Sequence, residues 1–163
     1  MLIRDANVDD FAHILQLNEE YVRFLSPLNL SRLQLLHSQA TYHRVVEQSG
    51  EIAAFLLAFR EGSSYDGINY QWFVERFERF LYVDRIVVSS KFEGQGIGNL
   101  LYADIFSFAK NSQAMRITCE FDIDPPNEIS RRFHVRHGFQ EVGQNSVDYA
   151  RKKVSMQSSE LGA

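Results

Sequence analysis

The chain has 163 residues, 45% hydrophobic, 23% charged and 13% aromatic, with a net charge of −4 at pH 7. This balance predicts one soluble domain able to bury its own core, and the lack of a concentrated Lys/Arg face argues against nucleic acid as a partner. No apolar run reaches membrane-spanning length, and a single cysteine, Cys119, excludes an intramolecular disulfide and argues against a zinc cluster, so neither membrane nor metal is expected.

MLIRDANVDD lacks the basic-then-apolar layout of a signal peptide, so a cytoplasmic location is expected. Met1–Arg4 reads as a short strand. Asn7 follows as a helix N-cap, with Asp10 three residues on, where a carboxylate favours the exposed helix N–H groups. DFAHILQLNEEYVRFL then sets Phe11, Ile14, Leu15, Val22 and Leu25 on one helical face. Asn18 falls inside that stripe, either hydrogen-bonding backbone in the core or facing a cleft. Pro27 breaks the pattern, and a second helix restarts near Ser31. TYHRVVEQ and IAAFLLAF read as two strands of a hairpin turned at Ser49-Gly50.

Arg60–Arg79 is irregular and rich in aromatics, with a short helix expected over Gln71–Glu78. Its rings fit a substrate lid or the cover of a second core. FLYVDRIVV, Phe80–Val88, is almost continuously apolar, as a central strand would be. SSKFEGQGIGNLLYADIF follows, placing three glycines at alternate positions before a helix with Ile97, Leu101, Ile105 and Phe108 aligned. Glycines accept φ > 0 and let a ligand approach the backbone, while a helix entrance offers unpaired N–H groups and the positive end of its dipole. A pyrophosphate fits that description; a loop that merely turns fits it too. The Walker pattern would need a lysine that is absent here. The Rossmann pattern would need G-x-G-x-x-G after a first strand, whereas Gly94, Gly96 and Gly98 follow a late one.

MRITCEFDI is a further strand, with Cys119 expected as a buried, inert thiol. NEISRRFHVRH reads as a helix closed by Gly138. The chain ends with FQEVG, a turn, and YARKKVSM as a final strand or hairpin. The residues from Gln157 are expected to fray, which gives a domain over 1–156 and a tail over 157–163. The element order predicts a mixed α+β sheet rather than strict βαβ alternation.

IVVSSKFEGQGIGNLLYADIFSFA resembles motif A of the GNAT superfamily of N-acetyltransferases, whose core is Q/R-x-x-G-x-G/A. Gly96 and Gly98 match its glycines; Glu93 stands where glutamine or arginine is usual. CEFDIDPPNEISRRFHVRHGFQEVG resembles motif B of the same family, with Asn127, Ser130, Phe133, His134, Gly138 and Phe139 on matching positions. The resemblance covers nearly the whole chain. It implies the GNAT fold, a central, mixed but mostly antiparallel sheet flanked by helices, and transfer of an acetyl group from acetyl-CoA to an amine.

The same resemblance implies site residues. The backbone of Ile86, Val87 and Val88 would pair with the pantetheine arm and polarise the thioester carbonyl. Glu93, Gly94, Gln95, Gly96, Ile97, Gly98 and Asn99 would cradle the pyrophosphate, and Asn127, Ser130 and Phe133 would add to the cofactor site. His134 stands where a tyrosine proton donor is common, and is either that donor or a histidine packed near CoA. Glu120, at the position of a catalytic glutamate in ribosomal-protein N-terminal acetyltransferases, and Asp84 compete as the base; a water chain is the third option. Tyr82, Tyr21, Phe24 and Trp72 would line an acceptor pocket or serve the core. The expected acceptor is a small-molecule or amino-acid-like amine. A protein or peptide amine, or acyl-CoA binding without catalysis, are the alternatives, and monomer and homodimer both stay open.

Overall fold

The computed structural model describes residues 1–147 and 152–162. Seven strands, β1 (Leu2–Asp5), β2 (Tyr42–Gln48), β3 (Glu51–Arg60), β4 (Phe80–Val88), β5 (Arg116–Asp124), β6 (Gln140–Val147) and β7 (Lys152–Glu160), form one sheet in the order β1-β2-β3-β4-β5-β7-β6. The β4–β5 pair is parallel, whereas β1–β2, β2–β3, β5–β7 and β6–β7 are antiparallel. Among the described residues five α-helices accompany them: α1 (Phe11–Glu20), α2 (Leu30–Gln39), α3 (Ile68–Val74), α4 (Ile97–Asn111) and α5 (Glu128–Arg136). None among the described residues is long and apolar enough to cross a membrane. The chain divides into two compact units, one of Met1–Phe59 and Val83–Ile105, the other of Arg60–Tyr82 and the described chain from Phe106.

In the first unit Asn7 and Asp10 close a reciprocal capping box, with Asp10 Oδ2 accepting from the Asn7 N–H at 2.8 Å. Arg4 grips the other side of the same carboxylate at 2.7 and 2.8 Å. Phe11, Ile14 and Leu17 then bury against Leu33, Val45, Phe55 and Val87. The helix stops at Glu20, short of the expected stripe, and Val22 is exposed. The chain turns at Tyr21 instead, because the Tyr21 hydroxyl is drawn onto the Val88 carbonyl at 2.8 Å. Leu25 still packs on the core, from that turn. The second helix starts at Leu30, beside Ser31 as expected, and Asn29 caps it through the Arg32 N–H at 2.8 Å. Ser49 (φ 54°) and Gly50 (φ 75°) make the left-handed pair that a two-residue hairpin requires.

In the second unit α3 opens at Ile68, three residues before the expected Gln71. Tyr65, Tyr70 and Phe73 of this segment are core, with Tyr70 meeting Phe80 at 5.8 Å and Phe73 meeting Tyr82 at 5.7 Å between ring centroids, whereas Trp72 and Phe77 are half-buried. Gly138, at φ 82°, ends α5 as expected.

The expected tail is instead strand. Residues Gln157–Glu160 continue β7 between β5 and β6, with Gln157 opposite both Cys119 and Glu141. A frayed end would leave those two strands unpaired along their inner edges. Of the expected final strand, Tyr149, Ala150 and Arg151 lie outside the described residues, and the described part begins at Lys152.

Candidate active site

In the first unit, β4 ends at Val88 and Ser89 caps a single tight turn over Ser90–Phe92, accepting from the Lys91 N–H at 3.3 Å. Gly94 and Gly96 follow at φ 77° and 78°, a left-handed conformation that strains any residue with a side chain. The 15-residue α4 begins immediately at Ile97. Its first turn closes with the Leu100 N–H on the Gly96 carbonyl at 3.0 Å, so the amides of Ile97, Gly98 and Asn99 precede the helical ladder. Glu93, Gly94, Gln95, Gly96 and Asn99 are exposed, whereas Ile97 anchors the loop to the core. This backbone fits an anionic group.

Two carboxylates flank the loop. Glu93 accepts from Tyr21 at 3.4 Å, and Glu20 accepts from the Ser90 amide and hydroxyl, both at 3.4 Å. Burial, with Glu93 and Glu20 nearby, pushes the Tyr21 phenol above its usual range, so Tyr21 stays a proton donor to Val88. Of the strand positions implied for the pantetheine arm, Val87 is buried in the core, while Ile86 and Val88 are half-buried on the opposite face.

Asp84 belongs to a buried polar knot in the same unit. Its carboxylate accepts from Arg85 Nε at 2.6 Å, and both side chains are nearly sealed from solvent. The guanidinium also donates to Asn18 Oδ1 at 2.9 Å, to the Ser26 carbonyl at 3.1 Å and to Ser26 Oγ at 3.0 Å. Asn18 Nδ2 donates to that same Ser26 carbonyl at 3.1 Å. This settles the odd asparagine in the apolar stripe: it satisfies Arg85 and backbone inside the fold. Phe24 lies nearby in sequence, half-buried under the Arg23 guanidinium at 5.3 Å.

In the second unit Glu120 is the centre of a different cluster. The Tyr82 hydroxyl lies 2.7 and 2.9 Å from its two carboxylate oxygens, and Asn69 Nδ2 donates to Oε1 at 2.9 Å. Asn145 Nδ2 in turn donates to Asn69 Oδ1 at 3.2 Å. Alternation along β5 puts Glu120 and Asp122 on one face and Cys119 and Phe121 on the other. Asp122 is held above the usual carboxylate range by burial, with Lys152 at 3.4 Å opposing that shift. The buried Cys119 thiol is pushed well above its usual range by burial and by Glu120, as suits an inert cysteine. Trp72 lies against Gly143, where any Cβ would collide with the indole, and the Arg76 guanidinium stands 3.8 Å over the same ring.

His134 is buried on α5. Its Nδ1 lies 2.7 Å from the Ser130 carbonyl and 3.2 Å from Ser130 Oγ, and Phe121, Phe133 and Phe139 surround the ring. Burial depresses the imidazole to about 4, so it is neutral at physiological pH with its Nδ1 proton given to the helix backbone. That favours the packing alternative over the proton donor. Asn127 caps α5 through the Ser130 N–H at 3.3 Å, and Phe133 is half-buried against His137 at 4.8 Å. Among the described residues no group of three or more His, Cys, Asp or Glu is gathered to hold a metal ion.

Asn69 and Asn145 are the site residues that sequence reasoning missed. Each is an isolated polar residue in a segment without periodicity, and nothing local marks it.

Residues 8–139 match the model of the acetyltransferase (GNAT) family. Compared with curated proteins by sequence, the chain finds no match. Among solved structures it resembles the ribosomal-protein-S18-alanine N-acetyltransferase of Escherichia coli, with 12% identity, 99% of this chain and 94% of that one covered, and a TM-score of 0.74. A Salmonella typhimurium protein assigned as an acetyltransferase, solved with its cofactor acetyl-CoA, shares 17% identity over 100% of this chain and 95% of its own, at a TM-score of 0.76. The N-acetylglutamate synthase of Neisseria gonorrhoeae, complexed with coenzyme A and N-acetyl-glutamate, shares 16% over 99% of this chain and 35% of its own, at 0.72. At these identities the likeness establishes the fold.

Proposed function

The chain belongs to the acetyltransferase (GNAT) family, and we propose that it transfers the acetyl group of acetyl-CoA to a small-molecule or amino-acid-like amine by direct attack on the thioester. The observation that carries this reading is the glycine loop. Gly94 and Gly96 hold left-handed, exposed backbone at the mouth of α4, at the motif A position that family membership reserves for the pyrophosphate. Glu93 departs from the family pattern but is exposed, so its charge can turn to solvent while its amide stays in the loop.

Acetyl-CoA supplies an electrophilic thioester carbonyl; the chain must deprotonate the amine and steady the oxyanion. We assign the base to Glu120. A carboxylate held by two neutral donors, the Tyr82 hydroxyl and the Asn69 amide, keeps its orientation. Asp84 is bound instead to the Arg85 guanidinium in a knot that shapes the core, and we assign it a structural part. The amides of Ile86, Val87 and Val88 are the assigned partners of the pantetheine arm. Asn127 and Ser130 shape the start of α5, and His134 packs beneath it as a neutral ring.

A peptide N-terminus is the second acceptor class, supported by Glu120 standing at the position of the catalytic glutamate in ribosomal-protein N-terminal acetyltransferases. Isothermal titration with acetyl-CoA, with NADH as control, followed by thiol release over a panel of small amines, amino acids and short peptides, tests both. Micromolar acetyl-CoA binding and thiol release with an amino acid or small amine support the proposal. Release with peptides alone transfers the assignment to the second class. Binding without release from any acceptor overturns catalysis in favour of an acyl-CoA-binding role.

A further inference from the structure

We propose that Asn69 is a positioning residue for the Glu120 carboxylate, and that Asn145 fixes Asn69 in the one orientation that can serve. The inference deepens the assignment of Glu120 as base and rests on that reading. It comes from the polarity of a three-residue chain. An ionised carboxylate only accepts hydrogen bonds, so Asn69 must turn its NH2 toward Glu120 Oε1, at 2.9 Å. Its carbonyl oxygen then faces away and needs a donor, which Asn145 Nδ2 provides at 3.2 Å. Reversing either amide would set two acceptors or two donors against each other, so each group in the chain has a single workable orientation.

The same carboxylate receives the Tyr82 hydroxyl at 2.7 and 2.9 Å, from a ring only 2% exposed and wedged among Tyr65, Tyr70 and Phe73. Tyr82 holds both oxygens; Asn69 approaches Oε1 alone and so sets the rotation of the carboxyl plane. Asn69 sits on α3 and Asn145 on β6, and those two elements are joined a second time where Trp72 covers Gly143. A helix anchored at two points holds the amide steady, as a base working at a fixed angle needs.

A donor to a carboxylate stabilises its charged form, so removing the donor must raise the pH at which the group titrates. The test is a 13C-carboxyl NMR titration of Glu120 in the full chain and its variants. Asn69→Ala is expected to move the Glu120 midpoint upward by about one pH unit, the size of one lost charge-assisted hydrogen bond at a half-buried site. Asn69→Asp, the same shape with a second negative charge, should move it further. Asn145→Ala should move it less, and should add nothing in the Asn69→Ala background, because its effect passes through Asn69. A merely structural asparagine would shift melting temperature and leave the midpoint alone. An unchanged midpoint in both Asn69 variants overturns the proposal, as does an Asn145→Ala effect that persists without Asn69. If Asn69→Ala fails to fold, the isosteric Asn69→Asp decides. The titration needs no acceptor, so a failed amine screen would sink the acetyl-transfer reading while this result still stood or fell by itself.

Discussion

Asp84 and Glu120 lie among different side chains, and that difference is why we assign them different parts. Glu120→Gln keeps the volume and leaves an acceptor for Tyr82 and Asn69 while abolishing proton uptake. Turnover should fall by about a hundredfold or more, with the acetyl-CoA Kd from titration calorimetry unchanged within about twofold. Asp84→Asn removes the counter-charge of a guanidinium buried to 4% of its side-chain surface. Urea unfolding should show a loss of about 3 kcal/mol, the low end for a broken buried pair because Asn18 and Ser26 still hold Arg85. A stable but inactive Asp84→Asn protein would move the base to Asp84. The two residues look alike in the sequence, each an acid in an apolar strand. Much of what surrounds them comes from far along the chain: Asn18 and Ser26 hold the Arg85 that binds Asp84, and Asn69 reaches Glu120, and no local pattern announces such meetings.

At the level of elements, what could be read in advance was whatever local chemistry dictates. The Asn7 cap, the Ser49-Gly50 turn, the Gly138 stop and the glycine entrance to α4 each follow from one or two residues and a short-range rule. The misreadings share one cause, tertiary pairing overriding local character. QSSE looks like a polar tail, yet Gln157, Ser158 and Ser159 are buried because β7 is hydrogen-bonded along both edges. Their side chains are satisfied there: Gln157 Nε2 donates to Ser155 Oγ at 2.6 Å, and Ser159 Oγ donates to the His137 carbonyl at 3.1 Å. Truncation after Met156 would therefore strip the partners of Arg116–Cys119 and Gln140–Glu141. The expected outcome is loss of soluble, cooperatively unfolding protein, read by circular dichroism on thermal melting; an intact melt would show that these residues can indeed fray. At the glycine entrance, Gly96→Ala forces a side chain into a left-handed position whose surroundings are open. The cost should be strain alone, about 1 kcal/mol, and calorimetry should register it mainly as weaker acetyl-CoA binding, since the loop can relax in the free protein.

For the whole molecule, acid is the condition to examine, because each unit buries a histidine as a neutral ring. His43 in the first unit is 6% exposed, and burial, with His37 adding a smaller push, brings it to about 4 against the opposing pull of Asp10. Its Nδ1 lies 2.8 Å from His37 Nδ1, so one proton serves both rings. His134 in the second unit is likewise near 4. In the unfolded chain both would protonate near ~6.5. Below that pH the unfolded chain takes up protons that the fold refuses, so stability falls as pH drops from about 6.5 toward 4, and neither ring costs anything above 6.5. At pH 5 each contributes a loss on the order of 2 kcal/mol, a large share of the roughly 5–15 kcal/mol that holds a domain together. Urea unfolding at pH 7.5 and pH 5 should show the decline, and His43→Leu and His134→Leu should each remove about half of it. A double variant that still loses as much stability between the two pH values would overturn the histidine account. Asp10 cannot supply that loss: the Arg4 pair holds its carboxyl below the usual carboxylate range, so its contribution is complete at pH 5 and is lost only as pH falls below about 4.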